Sequence, residues 1–159
     1  IEGYDVAHIS GTNRVGVMVV IGNGEAQKVE YRKFKLPEKI NDDYAALREI
    51  LTRRFSHTEW QFPDLIVIDG GLGQMNIAKE VLNDYKLVIP LVSVVKNAAH
   101  KPDHFLGEQE YVKLYKKEIL LTNSESHRFA MSYHTQLRNK NLLIIKDRYR
   151  KQKTKQNKS

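Results

Sequence analysis

The chain contains no cysteine in 159 residues. That excludes a disulfide framework, a thiolate nucleophile and a cysteine-built zinc site. No apolar run is long enough to span a bilayer, and the first residues lack a secretory signal pattern, so no membrane association and a cytoplasmic location are expected. Internal repeats are absent. No Lys-Ser or Lys-Thr follows the glycines at 70, 71 and 73, which excludes a nucleotide-binding P-loop. Proline is scarce. Its four copies, Pro37, Pro63, Pro90 and Pro102, stand where apolar segments begin or break off.

What is present suits one packed domain. Hydrophobic residues make up 41% of the chain, enough to fill a core at this length. The net charge of +7 is unevenly spread. Residues 146–159 hold seven basic residues and one acidic, whereas the rest hold 19 basic and 18 acidic. The expectation is a nearly neutral domain over 1–145 and a flexible basic tail over 146–159. Such a tail either contacts nucleic acid through its charge, with Lys146, Arg148 and Arg150 as candidates, or merely solubilises the end of the chain.

Residues 3–36 read as an antiparallel meander. Val15, Val17, Val19 and Ile21 share one face of a strand and Met18 and Val20 the other, so this strand is expected to be buried on both sides. Gly22-Asn23-Gly24 supplies a tight hairpin. The third strand mixes Val29, Tyr31 and Phe34 with Arg32 and Lys33, two candidate phosphate contacts whose bland alternative is a solvated charge. Asn41 or Asp42 caps a helix with Tyr44, Leu47, Ile50, Leu51 and Phe55 on one face and Arg48, Arg53 and Arg54 largely off it. A strand over residues 65–69, a helix over 76–85 and a strand from Pro90 to Lys96 follow. His100 to His104 read as a loop, Tyr111 to Leu114 and Ile119 to Leu121 as short strands. Thr122-Asn123-Ser124-Glu125 reads as a capping box opening the last helix, on which Phe129, Tyr133 and Leu137 should pack down. Three antiparallel strands followed by β-α alternation predict an α/β fold: a mixed sheet with parallel strands and helices on both faces, the ribonuclease-H-like order.

Two carboxylates stand out. Asp69 ends the apolar run Leu65-Ile66-Val67-Ile68 and precedes Gly70-Gly71-Leu72-Gly73-Gln74, and chemistry in open sheets collects at such strand ends. Asp5 lies inside Tyr4-Asp5-Val6-Ala7-His8-Ile9. Brought together by strand pairing, the two would suit a hard cation such as Mg²⁺ or Mn²⁺. The plainer alternatives are a solvent-facing strand residue for Asp5 and a helix cap for Asp69. Lys96, closing a central strand, would emerge beside Asp69 and is a further phosphate candidate. His8 falls on the opposite strand face from Asp5 and reads as structural.

Several segments in one register resemble the carboxy-terminal endonuclease domain of UvrC, the bacterial nucleotide-excision-repair nuclease. They are Ile1-Glu2-Gly3-Tyr4-Asp5-Val6-Ala7-His8-Ile9-Ser10-Gly11-Thr12, Glu30-Tyr31-Arg32-Lys33-Phe34, Asp42-Asp43-Tyr44-Ala45-Ala46, Arg53-Arg54-Phe55, the stretch from Pro63 to Gln74, and Ser126-His127-Arg128-Phe129-Ala130 with Tyr133-His134. The resemblance implies a ribonuclease-H-like fold over 1–145 and a catalytic constellation of Asp5, Asp69 and His127, with Asp43 as a further carboxylate. In that reading Asp5, Asp69 and His127 are metal ligands for Mg²⁺ or Mn²⁺. Arg128 joins the candidate nucleic-acid contacts. The implied activity is metal-dependent cleavage of one DNA strand on the 5′ side of a lesion. The implied partners are damaged duplex DNA and UvrB, although no segment here is expected to dock UvrB. The chain also departs from the family: the helical stretch ahead of His127 is short, and the basic cluster after Tyr133-His134 is diluted to Thr135-Gln136-Leu137-Arg138-Asn139-Lys140. An inactive DNA-binding module of the same fold, or a ribonuclease-H-like nuclease on another nucleic acid, are the alternatives.

Overall fold

The computed structural model describes residues 1–8 and 14–156, side chains of 137 and 152–156 excepted. Strand β1 (Glu2–His8) pairs antiparallel with β2 (Arg14–Gly22), whose Val15, Val17, Met18 and Val19 are all buried. Asn23 and Gly24, both at positive φ (52° and 77°), turn the chain into β3 (Glu25–Ala26). The expected third strand is broken in two: a 3-10 turn at Lys28–Glu30 separates β3 from β4 (Arg32–Lys35), and both halves pair with β2.

Helix α1 (Asp43–Ser56) starts where Asp42 Oδ1 accepts a 2.8 Å bond from the Ala45 N–H. Strand β5 (Ile66–Asp69), helix α2 (Leu72–Asp84) and strand β6 (Leu91–Lys96) follow. β5 lies parallel to both β1 and β6. The sheet order is β3 and β4, then β2, β1, β5, β6, and finally β7 (Pro102–Gly107), antiparallel to β6. The mixed sheet with parallel strands is the one the sequence predicts. Pro102 to His104, expected in a loop, instead begin the edge strand β7, where a proline is tolerated.

Strand alternation sorts the core into two layers. Tyr4, Met18, Ile66 and Ile68 pack with Leu47, Ile50 and Leu51 of α1 and Met75, Ala78 and Val81 of α2. Val67, Val92 and Val94 pack with Val112 and Ile119 on the other face, and Ala7, Val15 and Val17 with Ala130. These last residues belong to α3 (Gln109–Gln156), which departs from helical geometry only at Tyr115 (φ −127°, ψ 26°).

α3 corrects two expectations. Residues 111–114 and 119–121 are helical, not strands, and Thr122 to Glu125 lie inside the helix and do not open it. The misreading has a physical cause. The buried stripe of α3 runs Val112, Ile119, Thr122, Ser126, Ala130, at helical spacing but with hydroxyls in its middle. Thr122 Oγ1 donates to Glu118 O at 2.7 Å and Ser126 Oγ to Asn123 O at 2.9 Å, so both hydroxyls are satisfied within the helix and can face the sheet. Phe129 and Tyr133 pack down as expected; the Leu137 side chain lies outside the described residues. The helix crosses residue 146 without a break, and Lys146, Arg148 and Arg150 project from its exposed end.

Arg54 is a further correction: expected largely off the apolar face of α1, it is fully buried. Its Nη2 donates to Glu2 Oε1 at 2.7 Å and to Gln61 O at 2.7 Å, its Nε lies 3.0 Å from Glu2 Oε2, and the Tyr4 hydroxyl donates to the same carboxylate. The network ties β1 to the end of α1 and the following loop. Removing one partner of a buried pair strands the other charge, so Arg54→Met should lower stability by about 3–5 kcal/mol in urea denaturation. Burial, and behind it the Glu2 carboxylate, push the Tyr4 phenol well above its ordinary value of 10.0. The folded chain keeps that proton while the unfolded chain loses it near pH 10, so stability is whole below that pH and falls above it. Tyr4→Phe should remove about 1.4 kcal/mol per pH unit from the alkaline slope of a stability-against-pH curve.

Candidate active site

The parallel pairing of β1 with β5 aligns Gly3 with Val67 and Tyr4 with Ile68, so Asp5 and Asp69 are the next residues in the same register. Asp69 ends β5 and Asp5 lies beside it within β1, both in a cleft of about 250 Å³ that Asp43 also lines. Asp5 is largely buried. Its Oδ1 accepts from the Val6 N–H at 2.8 Å, and its Oδ2 lies 3.2 Å from His127 Nδ1. Burial raises the Asp5 carboxyl above the usual carboxylate range; the nearby Asp69 charge adds to this, while the Val6 N–H and His127 work against it. His127 itself is more than half exposed, on the face of α3 that crosses β1.

Close approach of α3 to β1 requires Gly3. A Cβ there would stand 2.5 Å from Thr122 Cγ2. The helix therefore lies against the strand one turn before His127, which brings the imidazole over Asp5 two residues along β1.

Asp69 forms an ion pair with the Lys96 ammonium, both about one-fifth exposed. The turn after Asp69 is pinned on both sides. The Gly70 N–H donates to Val94 O at 3.1 Å and Ser93 Oγ to Gly70 O at 2.6 Å. Gly70 sits at φ 142°, where a Cβ would also meet Gln74 at 2.6 Å. Gln74 Oε1 in turn accepts from the Gly71 N–H at 3.1 Å. The glycines thus serve the turn and its packing.

Of the adjacent aspartates, Asp42 is spent on the cap of α1, and Asp43 turns toward the cleft. Asp43 Oδ1 lies 3.2 Å from His8 Nε2 and 3.7 Å from Arg14 Nε. His8 projects to the α1 side of the sheet, opposite Asp5, as strand alternation predicts. Among the described residues, no three carboxylate or imidazole groups stand close enough together to hold one ion as they are placed here. The structure brings Asp5 into contact with His127, sets Asp69 in the neighbouring strand position and places Asp43 on the rim of the same cleft.

Arg32, Lys33 and Arg128 among the candidate nucleic-acid contacts have partners within the chain. The Arg32 guanidinium lies 4.8 Å from the Trp60 ring and Nη1 donates to Tyr31 O at 2.9 Å. Lys33 Nζ stands 4.3 Å from the Tyr133 ring. Arg128 binds Glu125 through two bonds of 2.7 and 2.6 Å. Trp60 stacks on His57 with ring centroids 4.0 Å apart. Sequence reasoning missed three contributors. Glu125 accepts from the Tyr31 hydroxyl at 2.9 Å as well as from Arg128, bracing the turn of α3 that carries His127. Arg14 backs Asp43, and Thr122 marks the helix–strand approach. Only Glu125 left a signal, in the segment Glu125-Ser126-His127-Arg128.

Residues 1–141 match the family model described as the UvrC RNAse H endonuclease domain. The UvrABC system protein C of Finegoldia magna is 40% identical over 156 residues, covering 89% of this chain and 26% of that protein. The one from Clostridium botulinum (strain Loch Maree) is 41% identical over 165 residues, covering 89% of this chain and 27% of that protein. The chain thus spans about a quarter of the length of these curated relatives. Among solved structures, Thermus thermophilus RuvC shares 11% identity at a TM-score of 0.34, covering 77% of this chain and 76% of the other. By its sequence match from residue 1 to 141, this chain belongs to the UvrC RNase H endonuclease domain family.

Proposed function

We propose that this domain hydrolyses one phosphodiester of a DNA strand on the 5′ side of a lesion, with Mg²⁺ or Mn²⁺ as cofactor, within an excision nuclease that works with UvrB. The observation that carries the reading is the in-register placement of Asp5 and Asp69 on adjacent parallel strands, with His127 against Asp5.

The residues present fit a hard divalent cation. Two carboxylates and an imidazole are suitable donors. The Lys96 ammonium already pairs with Asp69, so an ion bound there would have to displace it. Asp5, Asp69 and His127 would hold the ion. When bound, it would supply Lewis acidity toward a phosphoryl oxygen and lower the pKa of its water.

The chain's own groups have separate tasks. Asp5 orients the His127 ring through Nδ1, leaving Nε2 as the atom that can hold or release a proton or serve as ligand. Asp43, held by His8 and Arg14, adds a carboxylate to the rim of the cleft. Lys96 offers an ammonium beside the site where phosphate charge would arrive. Lys146, Arg148 and Arg150, on the exposed end of α3, add sequence-independent attraction for the duplex backbone.

Asp5→Asn and Asp69→Asn should each reduce nicking of a lesion-bearing duplex on the order of 10³-fold while leaving duplex affinity within about twofold. Nicking by either variant at the wild-type rate would remove the site assignment. Lys96→Met frees Asp69 of its internal counter-charge, so Mn²⁺ affinity measured by titration calorimetry should rise about tenfold. An unchanged or weaker Mn²⁺ affinity would show that Asp69 is not a ligand in competition with Lys96.

A further inference from the structure

On the α3 side of the Asp69–Lys96 pair lies a second recess, of about 450 Å³. Lys96 and His127 belong to its wall as well as to the site already described, and His100, Pro102, Leu121 and Asn123 are among its other lining residues. The two hollows differ in chemistry. The cleft at the strand ends is lined by Asp5, Asp43 and Asp69, whereas no carboxylate lines the recess. Its walls are mainly aliphatic, and its charged or chargeable groups are Lys96, His100 and His127.

Three features set it apart from an incidental surface dent. Leu121 is 37% exposed on a helix whose other face is buried against the sheet. Asn123 is 4% exposed, and its Nδ2 has no hydrogen-bond partner. A buried donor left unpaired costs about 1–3 kcal/mol until an acceptor reaches it. His100 is held at positive φ (57°) in the turn between β6 and β7, whose backbone is closed by the Asn97 side chain accepting from the Ala99 and Lys101 N–H groups at 2.9 and 3.1 Å.

We infer that this recess receives one unstacked nucleotide of the strand being cut, next to the scissile phosphate. The inference rests on the proposed nuclease reading and assigns that site a substrate preference. A nucleobase has an apolar face for Leu121 and Pro102. Its phosphate carries the negative charge that Lys96 and His100 complement and that the acidic cleft would repel. Unpaired nucleotides enter such a hollow at lower cost than paired ones, because no base pair or stack has to be broken first. The site therefore favours DNA that is already opened beside the cut.

The test uses the full 159-residue chain with Ca²⁺ in place of Mg²⁺ or Mn²⁺. It compares two 2-aminopurine-labelled duplexes, one fully paired and one with a short unpaired bubble. Wild type should bind the bubble duplex about tenfold tighter, with a change in 2-aminopurine emission. Leu121→Ser and His100→Gln, which add no negative charge, should each lose most of that preference and the emission change while keeping wild-type affinity for the paired duplex. Both positions are solvent-accessible, and thermal melts followed by circular dichroism verify that the variants fold. Retention of the full preference by both variants would overturn the inference, as would a wild type that binds both duplexes equally. Equal losses on both duplexes would also overturn it, reducing the recess to general charge attraction. Failure of wild type to bind either DNA would instead remove the nuclease reading itself.

Discussion

The register of one parallel strand pair governs this molecule. β1 and β5 align Tyr4 with Ile68, and everything at the site follows from the next position along. Because side chains alternate, a slip of one residue would move Asp5 to the α1 face and leave Tyr4 facing α3. The core prevents that slip. Tyr4 and Ile68 are buried with α1 and α2, Val67 is buried with α3, and Gly3 is the one position on β1 where α3 can lie directly on the backbone. Packing that has no chemical role thus determines which carboxylates become neighbours.

β1 also carries the buried network of Glu2, Tyr4 and Arg54, only a residue away from Asp5. A buried ion pair is a poor way to gain stability, because desolvation offsets most of the attraction. Its geometry is more telling than its energy. Arg54 gathers Glu2 of β1 and the carbonyls of His57 and Gln61, while Arg53 reaches Lys35 O of β4. The last turn of α1 is therefore fixed to the sheet at one end. The first turn, at the other end of the same rigid helix, presents Asp43 to the cleft. A polar network on the other face of β1 from Asp5 in this way sets the angle at which a site residue arrives.

What could be read from the sequence divides along physical lines. The meander, the strand ending at Asp69 and the helix from Asp43 were legible because apolar spacing and turn residues agreed there. So were Asp5 and Asp69 as candidates, since a carboxylate inside or at the end of an apolar strand is visible in one dimension. His127 and Asp43 were legible only through family resemblance; nothing in their local pattern distinguishes a site histidine from a helix histidine, or one aspartate of a pair from the other. The start of α3 was lost because Thr122, Asn123 and Ser126 face the sheet, and buried hydroxyls satisfied within their own helix look like a loop or a cap in a string of letters. Arg54 was lost for the complementary reason: its partner lies 52 residues away, and an arginine on an apolar face reads as solvent-facing until that partner is known.

Charge pairing gives the site its particular state. Three carboxylates converge on one cleft, and each is answered from a different element: Asp5 by His127 of α3, Asp69 by Lys96 of β6, Asp43 by His8 of β1 and Arg14 of β2. Convergent acids repel, so a fold that supplies its own hydrogen-bond partners and counter-charges, Lys96 and Arg14 among them, can assemble the cleft unaided. The same arrangement would make a divalent cation a competitor for partners already engaged. An ion that took Asp69 would release the Lys96 ammonium at the border between the acidic cleft and the carboxylate-free recess. A freed ammonium at that border is where a phosphate entering from the recess would need one, so cation binding and strand binding would favour each other through a single lysine.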